Sequence, residues 1–572
     1  MNRAERREQA RREQARRGAG RTGRGRKVAA LGSAAALASA GAGAAMVLTA
    51  DVAGANAPIV VDSLLDNATV DSSTTLREAI TLANTTPGQD EITFSVTGTI
   101  TLASDLPKIS DPLHITGPGV SDLTIDGQGA HRMIWLDNIT TGTNAVAGLL
   151  LYGGNAGARL GGGILVSNSD VNLDVTNVAV AHSYAAYGGG GIAVLESSGT
   201  VTISNASITA NTTPGGGGGA VFSGTKSGHL TVSIDHAVIG QNDAGFGGGI
   251  AVTADASLTI SDSVVTGNDG TYSGGVFVFN GDLEMTRVVV QGNTVDVSAG
   301  AGVGGGLAIA SNYSGYELSI IDSTISGNSA PCGGGVYVNS PDVLHVANST
   351  LYGNTASNGA AIVAASGLDI VQSTITGNIA TGPTVASPSE PLTGGVLVAP
   401  APSYSGSVSL SGTILAGNNA NGGVDLAQVN NTVVTAVGDH SLIGTGTGAL
   451  SSWTPGGSTT GLSGSDLKLG TLADNGGWGF PPPTGSVRTM ALLDGSPAID
   501  AGPSPVATFT GNEYDERGVG FDRVVNGTVD VGAFEVQPVA PAGPPPPTNV
   551  VVTLPPGSRS ATVTWTAPAS GD

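Results

Sequence analysis

An eleven-residue register repeated nine times between Leu173 and Asn418, glycine runs at matching places after it, and a lack of helical patterning predict an all-β chain folded as a right-handed parallel β-helix (solenoid). The register reads apolar-x-apolar-x-x-small-x-apolar-x-x-Asn, as in Leu258, Ile260, Ser263, Val265, Asn268 and again in Leu318, Ile320, Ser323, Ile325, Asn328. Apolar residues two apart mark a strand, because successive side chains point to opposite faces. The three-residue step that follows marks a bend, after which a second strand turns its apolar side chain inward again. Glycines then open a third strand: Gly247 to Gly249 before Ile250 and Val252, Gly304 to Gly306 before Leu307, Gly333 to Gly335 before Val336. Three short strands in about 25 to 30 residues make one coil, which buries its apolar face only by stacking on neighbours.

Spacing inside each copy is constant, whereas successive terminal asparagines are separated by 24 residues (Asn354 to Asn378) up to 40 (Asn378 to Asn418). The register is therefore structural and the insertions are loops. In a stack Asn211, Asn242, Asn268, Asn293, Asn328, Asn354, Asn378 and Asn418 fall above one another, and their amides are expected to hydrogen-bond from coil to coil. The first copy, starting at Leu173, ends at Ser183 in place of the asparagine.

Residues 1–57 read as a signal peptide region. Eleven of the 22 Lys+Arg fall there, followed by an uncharged, alanine-dominated stretch from Val28 to Ala50 and the small-residue site Ala53-Gly54-Ala55. No arginine pair is followed by the apolar residues that twin-arginine export needs, and an uncleaved membrane anchor is the competing reading. Removing that region leaves 11 basic against 40 acidic residues, a net charge of −29. Such a chain is not a nucleic-acid binder. Cys332 is the only cysteine, which rules out an intrachain disulfide and a cysteine metal cluster.

Residues 58–160 are assigned to an N-terminal cap and the first coils. Thr75 with Glu78 makes a capping box, Leu76, Ile80 and Ala83 share a face, and Asn84 with Pro87-Gly88 ends a short helix suited to covering the first coil. Residues 161–420 hold the repeats, 421–536 the C-terminal coils and a closing module, and 537–548 a Pro-rich linker.

Four parts of the chain carry resemblances. Thr74-Thr75-Leu76-Arg77-Glu78-Ala79 resembles the Cys-Ser-Leu-Arg-Glu-Ala motif near the start of many secreted bacterial β-helix proteins, with Thr74 and Thr75 in place of its first two residues. The Gly-Gly-apolar and apolar-x-x-Asn pieces resemble the polymorphic outer membrane protein repeats of bacterial surface adhesins. Leu493 to Gly502, Asp515-Glu516-Arg517-Gly518, Arg523 and Asp530 to Glu535 are similar to the choice-of-anchor Q module that follows such β-helices. Residues 549–572, with Val550, Val552, Val563 and Trp565, resemble the first two strands of a fibronectin type III β-sandwich. Ending at Asp572, that sandwich is incomplete, so the expectation is a fragment of a longer chain whose surface anchor lies beyond it.

Catalytic equipment is sparse. A lyase acting on uronic acids needs cations for the substrate carboxylate and a base for its proton, and from Leu173 to Asn418 the only Lys or Arg residues are Lys226 and Arg287. A glycoside hydrolase needs paired carboxylates. Asp262 and Asp322 share one register position, with Asp235 close to it, and repeat copying into an outward polar slot is the simpler account of them. No catalytic residue and no cofactor is assigned. Asp515, Asp522 and Asp530 are calcium candidates, although an Arg517–Asp salt bridge locking the C-terminal cap explains the same residues. The histidines, His229 and His236 included, read as surface or turn residues. The expected function is therefore a secreted or cell-surface bacterial structural and adhesive rod. Its partner would be an unknown surface protein or glycan, bound through inter-coil loops such as Asn378 to Tyr404. The alternative is a carbohydrate-active protein (glycosidase or polysaccharide lyase) or a carbohydrate-binding one, since fibronectin type III appendages accompany many bacterial glycan-degrading enzymes.

Overall fold

Parallel strands dominate the structure, a computed structural model that describes residues 57–68, 72–224, 229–253, 256–296, 302–382, 392–400, 406–420, 424–429, 434–446, 450–479, 486–506, 509, 511–538, 548–553 and 562–566. The leader therefore lies outside the described residues, as does most of the Pro-rich linker.

Eleven strands, one per coil from Ile134–Asp137 to Val424–Gln428, form one face of the solenoid. A second face holds eight short strands from Thr212–Gly217 to Asn419–Ala420, and a bent 24-stranded sheet closes the rest. Pairing is parallel and keeps the sequence register: Leu258 lies beside Leu283, Leu283 beside Leu318, Leu318 beside Leu344 and Leu344 beside Leu368. These side chains are buried in one continuous apolar core that runs from Val61 to Ile443.

Corners appear where the register demanded them. The bend after the first strand is a single residue in the left-handed region, occupied coil after coil by Asn177, Asn205, His236, Asp262, Arg287, Asp322, Asn348, Gln372, Gly412 and His440. Asn and Asp tolerate that conformation better than other side chains. The glycine runs turn a second corner. At Gly247, with φ of +58°, a Cβ would lie 2.1 Å from the carbonyl oxygen of Ile250, so the chain cannot carry a side chain there.

The helix Leu76–Ala83 lies against the first strands, with Leu76, Ala79, Ile80 and Ala83 buried in the same core. Both halves of the capping box form: the Glu78 amide donates to the Thr75 hydroxyl, and the Thr75 amide donates to the Glu78 carboxylate. Arg77 grips Asp66 through two nitrogens and donates to the carbonyls of Ser104 and Asp105. No described helix is long and apolar enough to cross a membrane.

The last coil ends near Thr459, which pairs with Leu442. The described residues between 462 and 537 then turn back and pack along the outside of coils already built. Farther on, Thr548–Thr553 and Thr562–Thr566 form one antiparallel pair, and the other residues of the stretch read as fibronectin type III lie outside the described residues.

Candidate functional site

The asparagines form a fully bonded internal column. In each step one Oδ1 accepts both the backbone amide and the Nδ2 of the preceding asparagine: Asn211 donates to Asn242 at 2.9 and 3.0 Å, Asn242 to Asn268 at 3.0 and 2.9 Å, and the pattern runs on to Asn418. Each Nδ2 also reaches a backbone carbonyl, as Asn242 does to Ile208 at 3.0 Å. The column starts at Ser183, whose amide donates to Asn211, and ends at Asp425, whose Oδ1 accepts from the amide and Nδ2 of Asn418. A parallel column of hydroxyls occupies the small-residue position. The amides of Val288, Ser323 and Ser349 donate to the hydroxyls of Ser323, Ser349 and Ser373. All this polar chemistry is consumed inside the rod.

One outward-facing column is buried nonetheless. Val264, Val289, Thr324, Thr350, Thr374 and Ile414 are aligned neighbours on successive coils and should face solvent, yet all are covered by described residues between 478 and 536. Val264 and Val289 pack on Val487 and Trp478. Thr324 exchanges hydrogen bonds with the backbone of Arg488 and donates to Glu516, and Thr350 donates to the other oxygen of Glu516. The Ala533 amide donates to Thr374, and the Gly532 amide to the carbonyl of Gly412. Gly532 comes so close that a Cβ would meet the Thr374 hydroxyl at 2.7 Å and Ile414 at 2.9 Å. Ile414 joins Ala498, Val531 and Phe534 in a small separate core.

This contact encloses charge. Asp322, Asp515, Glu516, Asp530 and Glu535 are buried together with Arg517 and Arg523. Arg517 holds Asp515 by its Nε and NH2 groups and lies between the rings of Phe521 and Phe534, 3.9 and 3.8 Å from their centres. Arg523, fully buried, donates to Asn348 of the corner column and to the carbonyls of Gly532 and Ala533. Asn348 in turn donates to Asp322 at 2.7 Å. Five carboxylates face two guanidiniums, so charge balance favours protons on some of the acids. Burial raises Asp322 from 3.8 to about 7 against the opposing pull of Asn348, Arg287 and Arg523. It raises Glu535 to about 8 and Glu516 well above the carboxylate range, and it pushes Arg523 down.

The carboxylates singled out from sequence therefore meet different fates. Asp262 is paired with Arg287 through both oxygens at 2.6 Å. Asp322 does not occupy an outward polar slot: its place in the register is outward, but the folded-back segment covers it to 9% exposure. Among the described residues one His/Asp group has its ligand atoms mutually within 4.8 Å, namely Asp235, His236 and Asp262. There Asp235 is bonded to the imidazole at 2.6 Å and to the Ser261 hydroxyl, and Asp262 is neutralised by Arg287, so an ion would have to displace those partners. The three calcium candidates are not gathered into such a group. Asp515 binds Arg517 and the Glu535 amide, Asp530 accepts from the amides of Asp500 and Val536, and Asp522 is exposed.

Sequence reasoning missed the covered column and Asp425. The column had a legible signal: valine at this position in two coils, then threonine directly after the serine in the next three (Ser323-Thr324, Ser349-Thr350, Ser373-Thr374). Of the long insertion Asn378 to Tyr404, residues 383–391 and 401–404 lie outside the described residues.

No family model matches this chain, and no curated protein does. Among the described residues the structure shows a parallel β-solenoid of about eleven turns.

Proposed function

We propose that the chain is an exported bacterial surface protein, a structural and adhesive rod rather than an enzyme. One observation carries this reading: the side chains that could do chemistry are spent on holding the rod together. Asparagines and serines are committed to internal columns, Asp262 to Arg287, and Asp322, Glu516 and Glu535 to the contact with the folded-back segment. The resemblance of residues 74–79 and 493–535 to motifs of secreted, surface-attached β-helices, and the basic-then-apolar leader, support export. The solenoid geometry suits display, since stacked coils offer long flanks for contact.

The test is protease shaving and fractionation of producing cells, with adhesion of the purified chain to coated surfaces. Cleavage on intact cells together with adhesion is the expected outcome. Retention in the cytosol would refute export. Release of reducing sugar from a polysaccharide, abolished by one carboxylate substitution, would refute the non-enzymatic reading. A carbohydrate-binding role has an observation of its own, an aromatic flank at the corner between the eight-stranded and eleven-stranded faces.

A further inference from the structure

Aromatic residues are scarce in this chain, with 9 Phe, 10 Tyr and 4 Trp in 572 residues, yet one stretch of flank collects several of them. Phe246 lies with its ring centre 5.7 Å from Tyr272 and 5.9 Å from Phe277, Tyr272 meets Phe277 edge-on at 5.4 Å, and Phe222 and Phe279 pack into the same group. Its inner members are supported by Ala251 and Ala308 of the eleven-stranded face. Its outer member Phe246 is 45% exposed, and Tyr187, two coils earlier near the same corner, is 61% exposed. A contiguous exposed aromatic patch on a soluble scaffold marks an interaction surface.

Beside the rings runs a row of acceptors in strict register: Tyr184, Thr212, Asp243, Asp269 and Thr294 stack on five successive coils. The strand Asp243–Phe246 exposes its two ends, one carboxylate and one ring. Asp243 is raised by burial and by its neighbours Asp269 and Asp296, so this row is crowded with negative charge. Together with the net charge of −29 after the leader, that crowding repels an anionic polymer. The complementary ligand is a neutral chain that donates hydroxyl hydrogen bonds and offers flat apolar ring faces.

We infer that the flank formed by Tyr184, Tyr187, Asp243, Phe246, Asp269 and Tyr272 binds an uncharged polysaccharide laid along the rod axis. The inference deepens the adhesive reading above by assigning it a surface and a ligand class. Rings stack on pyranose faces, and the carboxylates accept from the hydroxyls on one edge.

The experiment is co-sedimentation of the purified chain with microcrystalline cellulose and with chitin, with calorimetry against cellohexaose and chitohexaose, and polygalacturonate as the anionic comparator. Expected are retention on at least one neutral polymer, competition by the matching hexasaccharide, little dependence on salt, and a loss of roughly tenfold or more in affinity in the double variant Tyr187→Ala, Phe246→Ala. Both residues are exposed, so unchanged melting of the variant separates loss of binding from loss of fold. No retention on either neutral polymer, retention unchanged in the double variant, or tighter binding of polygalacturonate would each overturn the inference. Protease shaving of intact cells reads the export proposal independently, so either idea can fail alone.

Discussion

Replacing Asp322 by asparagine isolates the charge enclosed between the rod and its folded-back segment. Asparagine keeps the shape, tolerates the left-handed corner where φ is 51°, and keeps an oxygen to accept from Asn348. It cannot ionise. The groups facing residue 322 are Asn348 and Arg287 from the rod, and Asp515, Glu516 and Arg523 from the segment. Because the docked-state pKa, about 7, lies above the free value of 3.8, the neutral acid favours docking. That stabilisation is complete below about pH 4 and is lost as pH rises through 7. Integrating proton binding by Asp322 alone between pH 5 and pH 8 gives a loss of about 2.5 kcal/mol, equivalent to roughly 70-fold in the docking equilibrium. Hydrogen exchange at the amides of Gly532 and Ala533, which donate to Gly412 and Thr374, reads that equilibrium directly once corrected for intrinsic rates. Wild-type protection is expected to fall across this range, with Asp322→Asn showing a clearly shallower fall, Glu516 and Glu535 supplying the remainder. Identical pH dependence in the two proteins would refute the reasoning.

Other perturbations test other parts of the rod. Asn328→Ala removes the acceptor of two donors on Asn293 and should cost about 3 kcal/mol, measured by denaturant unfolding and local exchange around coils 293 and 328. Thr75→Ala deletes the N-cap and should destabilise the helix Leu76–Ala83 by about 1 kcal/mol, visible as faster exchange at Glu78. Gly247→Ala should cost more than 1 kcal/mol, from its φ of +58° and the clash with Ile250, lowering the melting temperature. Arg523→Met leaves buried acids without their cation and should release the segment at neutral pH, with Gly532 losing protection, while acid restores it.

How far the sequence reaches is itself informative. Strand positions, the bends and the asparagine column were legible because each follows from spacing within about eleven residues, where side-chain direction is fixed by strand geometry. The capping box Thr75–Glu78 was legible for the same local reason. The covered column was not. Thr324 meets Glu516 across 192 residues of chain, and nothing in either neighbourhood specifies the other. Asp322 illustrates the consequence, since its register position reads as outward and solvated until a distant segment is laid over it. The aromatic flank escaped notice because Tyr187, Phe246 and Tyr272 stand at unequal distances along the chain and come into line only once the glycine loops are folded.

The folded-back segment reads six particular coils in order, two valines, three threonines and an isoleucine, and so acts as a gauge. A coil inserted or deleted between Val264 and Ile414 would shift every partner beyond it by about 4.8 Å, setting valine against Glu516 or threonine against Val487 according to the direction of the shift. Coils between Ile134 and Val238 stand outside the gauge. Lengthening of this rod by duplication is therefore confined to its N-terminal half, while the C-terminal half is fixed in number by the segment that spans it.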